Sequence, residues 1–267
     1  MLLLYDHPLS PYAQKCRIAL REKGIPFDAR LPAGIGSGAG AEAAFLEASP
    51  RAEVPALVDG EVRVFDSTII LDYLEEKWPT PRLLPTAPAE RARVRMLEEA
   101  MDAHYEPINW ALGEIHFFRR ATGELAKALA DRAAAQAAKW RRWLEAQLGE
   151  RPWFDGDAFG RGDLSVAPYL EGSRGFGIEP ERGSRLAEWL ARATARPSVA
   201  ATLGEAAAFV RGASGGMGQV AELVAKGLFK REYRDHRLEW MVKSGGISVV
   251  QEGLARGNIR FTSEFEA

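Results

Sequence analysis

An α/β domain followed by an all-α domain, with an extra helical tail, is the fold class that this 267-residue sequence predicts. Three observations predict it. Residues 54–79, VPALVDGEVRVFDSTIILDYLEEKWP, read as strand, turn, strand and capped amphipathic helix. From Trp78 to Pro88 the chain is dense in proline, and beyond it one helical pattern follows another. After Gly212, Ser214, Gly215, Gly216 and Gly218, a hinge composition, apolar periodicity resumes. The expected boundaries are 1–79 for the α/β domain, 80–88 for a linker, 89–210 for the helical domain and 211–267 for the tail. A hydrophobic share of 46% is ample for two cores.

Leu2 to Tyr5 is a short apolar strand, and Asp6-His7-Pro8 breaks it. Ser10 then precedes Pro11, an N-cap residue followed by proline at the first helical position. Ala13, Cys16, Ile18, Ala19 and Leu20 form the buried stripe of this helix, and Gly24 ends it. The Ser10 hydroxyl thus stands where unpaired N–H groups and the helix dipole favour negative charge. A thiolate held there would have its pKa lowered by the same field, although plain capping is the commoner use of such a serine. Val54–Val58 and Glu61–Phe65 flank Asp59-Gly60, a dipeptide suited to a tight hairpin turn. Asp66 and Ser67 follow at a helix start whose apolar positions are Ile69, Ile70, Tyr73 and Leu74. Backbone N–H groups beside a small hydroxyl can receive a carboxylate, and simple capping is again the alternative.

Ser10-Pro11-Tyr12-Ala13 with Lys15-Cys16-Arg17-Ile18-Ala19-Leu20 resembles the active-site start of the glutathione transferase family, serine type. Glu53-Val54-Pro55-Ala56-Leu57 and Phe65-Asp66-Ser67 resemble that family's glutathione-binding strand and turn, in the same order and spacing. The likeness runs over residues 1 to about 210. It implies a thioredoxin-like first domain with Pro55 in a cis peptide. It further implies that Glu53, Val54 and Pro55 lie along glutathione, that Asp66 and Ser67 hold its γ-glutamyl end, and that Ser10 donates to its sulfur. Serine in place of a catalytic cysteine argues for conjugation over thiol–disulfide exchange. Ala52 and Glu53 depart from the family's usual small glycine and basic or amide residue. The run Gly34-Ile35-Gly36-Ser37-Gly38-Ala39-Gly40 supplies no partner for the glycine carboxylate, which leaves Arg51 as a candidate. That run loosely imitates a dinucleotide fingerprint, but its acidic counterpart, Asp59, falls in a hairpin turn.

Helices are expected at about 89–119, 122–148, 162–174, 183–193 and 197–208. Asp163, three residues after Gly160, reads as a capping residue for the third of these. If the likeness holds, the first helix carries the second-substrate pocket. Tyr105 and Ile108, three apart and so on one face, would line it with Tyr12, or else belong to the core. In the tail, Val220, Leu223, Val224, Leu228 and Phe229 start a helix expected to reach about Val242. Ile247–Leu254 is a shorter apolar segment, and Phe261 and Phe265 follow. The tail is expected to pack on the second domain, on a dimer partner or over the cleft. A net charge of −2 gives no steering toward nucleic acid or anionic lipid, and no apolar stretch approaches a membrane span. Met1-Leu2-Leu3-Leu4 lacks a basic leader, and the single cysteine, Cys16, suits a reducing cytoplasm. No histidine pair has ligand spacing, so no metal is expected.

The function these readings support is conjugation of the glutathione thiolate to a small hydrophobic electrophile by a cytoplasmic homodimer, in detoxification. The alternatives are a non-catalytic binding or regulatory relative and a glutathione-dependent isomerase or dehalogenase.

Overall fold

A computed structural model of the chain describes residues 1–35, 41–212 and 216–262. Expectations on Gly36 to Gly40, Ser214, Gly215 and Phe265 fall outside those residues. The first domain is thioredoxin-like. Its sheet has strands β1 (Leu2–Tyr5), β2 (Phe27–Arg30), β3 (Ala56–Asp59) and β4 (Val62–Phe65), in the order β2-β1-β3-β4. β1 and β2 are parallel, joined through helix α1 (Pro11–Glu22), while β3 pairs antiparallel with both β1 and β4. Helix α2 (Ala43–Ala48) follows β2, and α3 (Ser67–Lys77) follows β4. Leu4, Ile18, Leu20, Leu57, Ile70 and Leu74 are fully buried between sheet and helices. Each contributes about 1.5–3 kcal/mol by leaving water.

The hairpin tip is Gly60-Glu61, one residue later than expected. Asp59 is drawn into the ladder opposite Val62, where its carboxylate accepts from the Tyr73 hydroxyl at 2.6 Å and pairs with Lys77. Gly60, at φ 61°, supplies the left-handed backbone the tip needs. β3 starts only at Ala56 because the Val54–Pro55 peptide is cis and turns the chain just before it.

The expected long helix at 89–119 is three pieces: α4 (Pro88–Ala100), a π-turn at Met101–Tyr105 and α5 (Glu106–His116). Pro107 has no N–H to give the preceding turn, and the backbone widens there so that Glu106 N–H donates to Met101 O. α6 (Gly123–Leu148), α7 (Arg161–Arg174), α8 (Arg185–Thr194) and α9 (Pro197–Gly212) complete the helical domain. Asp163 starts α7: its carboxylate accepts from Gly160 N (3.0 Å), Phe154 N (2.9 Å) and Trp189 Nε1 (2.7 Å). A buried ionic chain ties the domains together. Glu98 of α4 accepts from Lys15 Nζ of α1 (2.7 Å), Thr68 Oγ1 of α3 (3.1 Å) and Arg161 Nε of α7 (2.6 Å).

The tail forms α10 (Gly216–Ala225), β5 (Arg231–Glu232), α11 (Asp235–Lys243), α12 (Ile247–Ala255) and β6 (Ile259–Arg260), with β5 and β6 parallel. The single helix expected to reach Val242 is therefore broken. Gly227 at φ 71° ends it, and Arg231–Glu232 leave helical geometry to pair with Ile259–Arg260. Tyr233, Trp240, Met241, Val249, Val250 and Ile259 share one core with Ile108, Leu112, Leu129 and Ala133 of α5 and α6. The tail thus packs on the second domain, and its middle, at Arg234 to His236, also reaches the cleft.

Candidate functional site

A crevice of about 270 Å³ opens where α1, the β3 approach, the α3 start, α4 and the tail meet. Glu53, Val54, Pro55, Asp66 and Ser67 all line it, together with Tyr12, Arg51 and Glu99. The Val54–Pro55 peptide is cis and both residues line this space, and Ser49 Oγ pins the neighbouring Glu53 backbone, donating to Glu53 O at 2.8 Å. Asp66, at φ 74°, caps α3 by accepting from Thr68 N at 2.9 Å, which leaves the α3 amino end facing the crevice beside Ser67.

Ser10 stands at the head of α1, where its Oγ accepts from Ala13 N at 3.3 Å. It lies outside the lining residues, and Tyr12 takes the place nearest the cavity. The Tyr12 hydroxyl donates to Asp102 O at 3.0 Å and lies 3.3 Å from His236 Nε2. Burial, and then the Glu106 carboxylate, raise Tyr12 well above the ordinary tyrosine value, so it acts as a hydrogen-bond donor and not as an anion. Cys16 is fully buried and its thiol is pushed far up by that burial, which makes it a core residue.

Tyr105 and Ile108 do not line the crevice. Both are fully buried: the Tyr105 hydroxyl meets Ser173 Oγ at 2.9 Å, and Ile108 joins the core shared with α6 and the tail. The reason is the π-turn, whose wider spacing rotates residues after it away from the face predicted by 3.6-residue counting. Glu99, Asp102 and Ala103, just before or within it, face the cavity instead. Burial lifts the Asp102 carboxyl to about 6 against the pull of Lys15, and Glu98 adds to the rise.

The tail contributes Arg234, Asp235 and His236 to the same crevice. Arg234 Nη1 and Arg51 Nη2 both lie 2.6 Å from Glu53 Oε2, so two guanidinium groups from opposite walls converge on one carboxylate oxygen. Glu232 stands behind them, 2.7 Å from Arg260 Nη2 and 3.3 Å from Arg234 Nε. Burial, then Glu232, push Glu53 up to about 8 against Arg51 and Arg260. Burial also works against the Glu106 carboxylate, but Arg237 and His236 hold it at about 2. Nothing in the local sequence marked these tail residues. Their one visible signal was the alternation of basic and acidic side chains from Arg231 to Glu239. Among the described residues, no three His, Cys, Asp or Glu side chains are grouped to hold a metal ion, and no helix is long and apolar enough to cross a membrane.

Residues 4–82 match the family model described as "Glutathione S-transferase, N-terminal domain". A protein of Oryza sativa subsp. japonica described as "Probable glutathione S-transferase GSTU1" is 32% identical over 209 residues, 72% of this chain and 84% of its own. A "Stringent starvation protein A homolog" of Coxiella burnetii (strain RSA 493 / Nine Mile phase I) is 29% identical over 177 residues, 64% of this chain and 75% of its own. Among solved structures, rice GST1 in complex with glutathione aligns with a TM-score of 0.63 at 30% identity, over 75% of this chain and 89% of that one. Fold and crevice together define the class: a thioredoxin-like domain joined to an all-helical one, with the crevice lined from both. The chain belongs to the glutathione S-transferase family.

Proposed function

We propose that the protein binds glutathione in this crevice and transfers its thiolate to a small electrophile. The observation that carries the reading is the convergence, on one cavity, of the cis Val54–Pro55 backbone, the α3 amino end at Asp66-Ser67 and the Tyr12 hydroxyl. The γ-glutamyl end would lie at Ser67 and Glu99, the cysteinyl amides along Val54, and the sulfur toward the head of α1. Ser10 accepts its capping bond through a lone pair, so its O–H stays available to donate to the sulfur. A thiol with a free pKa of about 8.5 is only a few per cent ionised at neutral pH. Lowering it by two powers of ten ionises about three quarters of it, worth roughly 2.7 kcal/mol. The thiolate then forms a C–S bond to the electrophilic carbon. The bonding pair of the broken bond leaves with the departing group, or, in an addition, a proton is taken up.

The remaining wall is Tyr12, Asp102, Ala103, Asp235 and His236, more polar than the hydrophobic electrophile expected from sequence would need. We therefore favour a small polar electrophile. A cytoplasmic homodimer serving detoxification remains the proposed setting, and light scattering tests the dimer. Calorimetric titration with glutathione, followed by a panel of electrophiles monitored for thiol loss, tests the activity. Binding without turnover of any electrophile would favour the second reading, a binding or regulatory protein. One observation supports that alternative: the tail is fastened across the crevice through Arg234 and Glu53.

A further inference from the structure

We propose that Arg234, delivered by the tail, works with Arg51 to bind the glycine-end carboxylate of glutathione, and that Glu53 occupies this place until the ligand displaces it. The inference rests on the glutathione-binding reading above and assigns a specificity-determining residue within it.

The geometry is that of a carboxylate site already filled from within. Both guanidinium groups point to a single oxygen, Glu53 Oε2, each at 2.6 Å. Arg51 Nε and Glu53 Oε1 are buried with no hydrogen-bond partner, so neither charged group has its bonding capacity met by the internal pair. Arg51 and Glu53 enter from the approach to β3, Arg234 from the N-cap position of α11, and all three line the same cavity as Ser67. A ligand held by its amino-acid end at the α3 start and extended along Val54 would bring its other carboxylate toward this pair.

Charge balance points the same way. Arg51, Arg234 and Arg260 surround Glu53 and Glu232. Three guanidinium groups thus face at most two carboxylates, and burial with Glu232 beside it pushes Glu53 up to about 8, so negative charge is short at this place. An incoming carboxylate supplies it. A glutamate where this family often carries a basic or amide side chain then acts as an internal competitor for the arginines and not as a ligand contact.

The test uses the full chain and two ligands differing only at the relevant end: glutathione, and γ-glutamylcysteine, which lacks the glycine. Calorimetry gives both dissociation constants for the wild type, Arg234→Ala, Glu53→Gln and the double variant. The readout is the ratio of the two constants. The wild type should prefer glutathione, Arg234→Ala should cut that preference roughly tenfold or more, and γ-glutamylcysteine should be held within about twofold of wild type. Glu53→Gln should increase the preference. The double variant removes both members of the Arg234–Glu53 pair and so serves as a second reference should Arg234→Ala alone disrupt the tail. It too should lose discrimination. A ratio equal in wild type and in both Arg234 variants overturns the assignment while leaving glutathione binding intact. Failure of the wild type to bind either ligand at millimolar concentration overturns the binding reading and this inference with it.

Discussion

Replacing Glu98 with Gln removes one negative charge from the joint between the domains and leaves the shape almost unchanged. Glu98 is 1% exposed and accepts from Lys15 Nζ at 2.7 Å, Arg161 Nε at 2.6 Å and Thr68 Oγ1 at 3.1 Å. Lys15 and Arg161 are themselves buried and would retain only Asp102 and Asp72 as counter-charges. Breaking a buried pair by removing one partner costs about 3–5 kcal/mol, because the other charge stays out of water. The proton affinity of Glu98 leads to a similar figure. Burial disfavours the carboxylate, yet Lys15 and Arg161 hold it at about 2 against an ordinary 4.5. At roughly 1.36 kcal/mol per factor of ten, that is about 3 kcal/mol. For a chain of this size Glu98→Gln should lower the melting temperature by about 10 °C, read by circular dichroism at pH 7. The sign of the pH dependence follows. A depressed carboxyl contributes stability above pH 4.5 and loses it as pH falls through about 2, so wild type and variant should converge in acid. Coincident melting curves at pH 7 would refute the argument.

Three further outcomes are expected. Ser10→Ala should leave glutathione affinity near wild type, cost about 1 kcal/mol of stability through the lost α1 cap and slow conjugation at least roughly tenfold; equal turnover would redirect attention to Tyr12. Glu53, pushed up to about 8 from 4.5 among Arg51, Arg234, Arg260 and Glu232, favours the fold when protonated. Its contribution is present below pH 4.5 and lost as pH rises through about 8, so denaturant titrations from pH 6 to 9 should show stability falling in the wild type and less so in Glu53→Gln. Gly253→Ala would bring a methyl group 2.6 Å from both Arg120 Nη2 and Ile259 Cγ2, parting α12 from β6. A loss of about 1–3 kcal/mol, with faster proteolysis after residue 226, is the expected result, and unchanged proteolysis would show that the contact relaxes freely.

Much of the first domain was legible because its signals are local. The hairpin at 54–65, the cap at Asp66 and the Ser10-Pro11 helix start each lie within a few residues of the chemistry that forms them. α2 was not foreseen, since six helical residues after a glycine run carry too little periodicity. Of the two readings open for Tyr105 and Ile108, pocket or core, a backbone detail selects the core. Pro107 was visible in the sequence, but a widened turn before it changes which side of the helix looks at the cleft. Arg234 was out of reach altogether. Its partner Glu53 is 181 positions away, and β5 and β6, two residues each, leave no pattern to read.

Because Tyr233 and Trp240 are anchored beside α5 and α6 while Arg234 and His236 sit at the crevice, a ligand that bonds Arg234 as proposed makes occupancy of the cleft and docking of residues 227–262 one coupled equilibrium. Whatever loosens that segment must weaken ligand by the same factor by which ligand tightens the segment. A protease cutting slowly near Gly227 would thus report on the occupancy of a cavity it never touches.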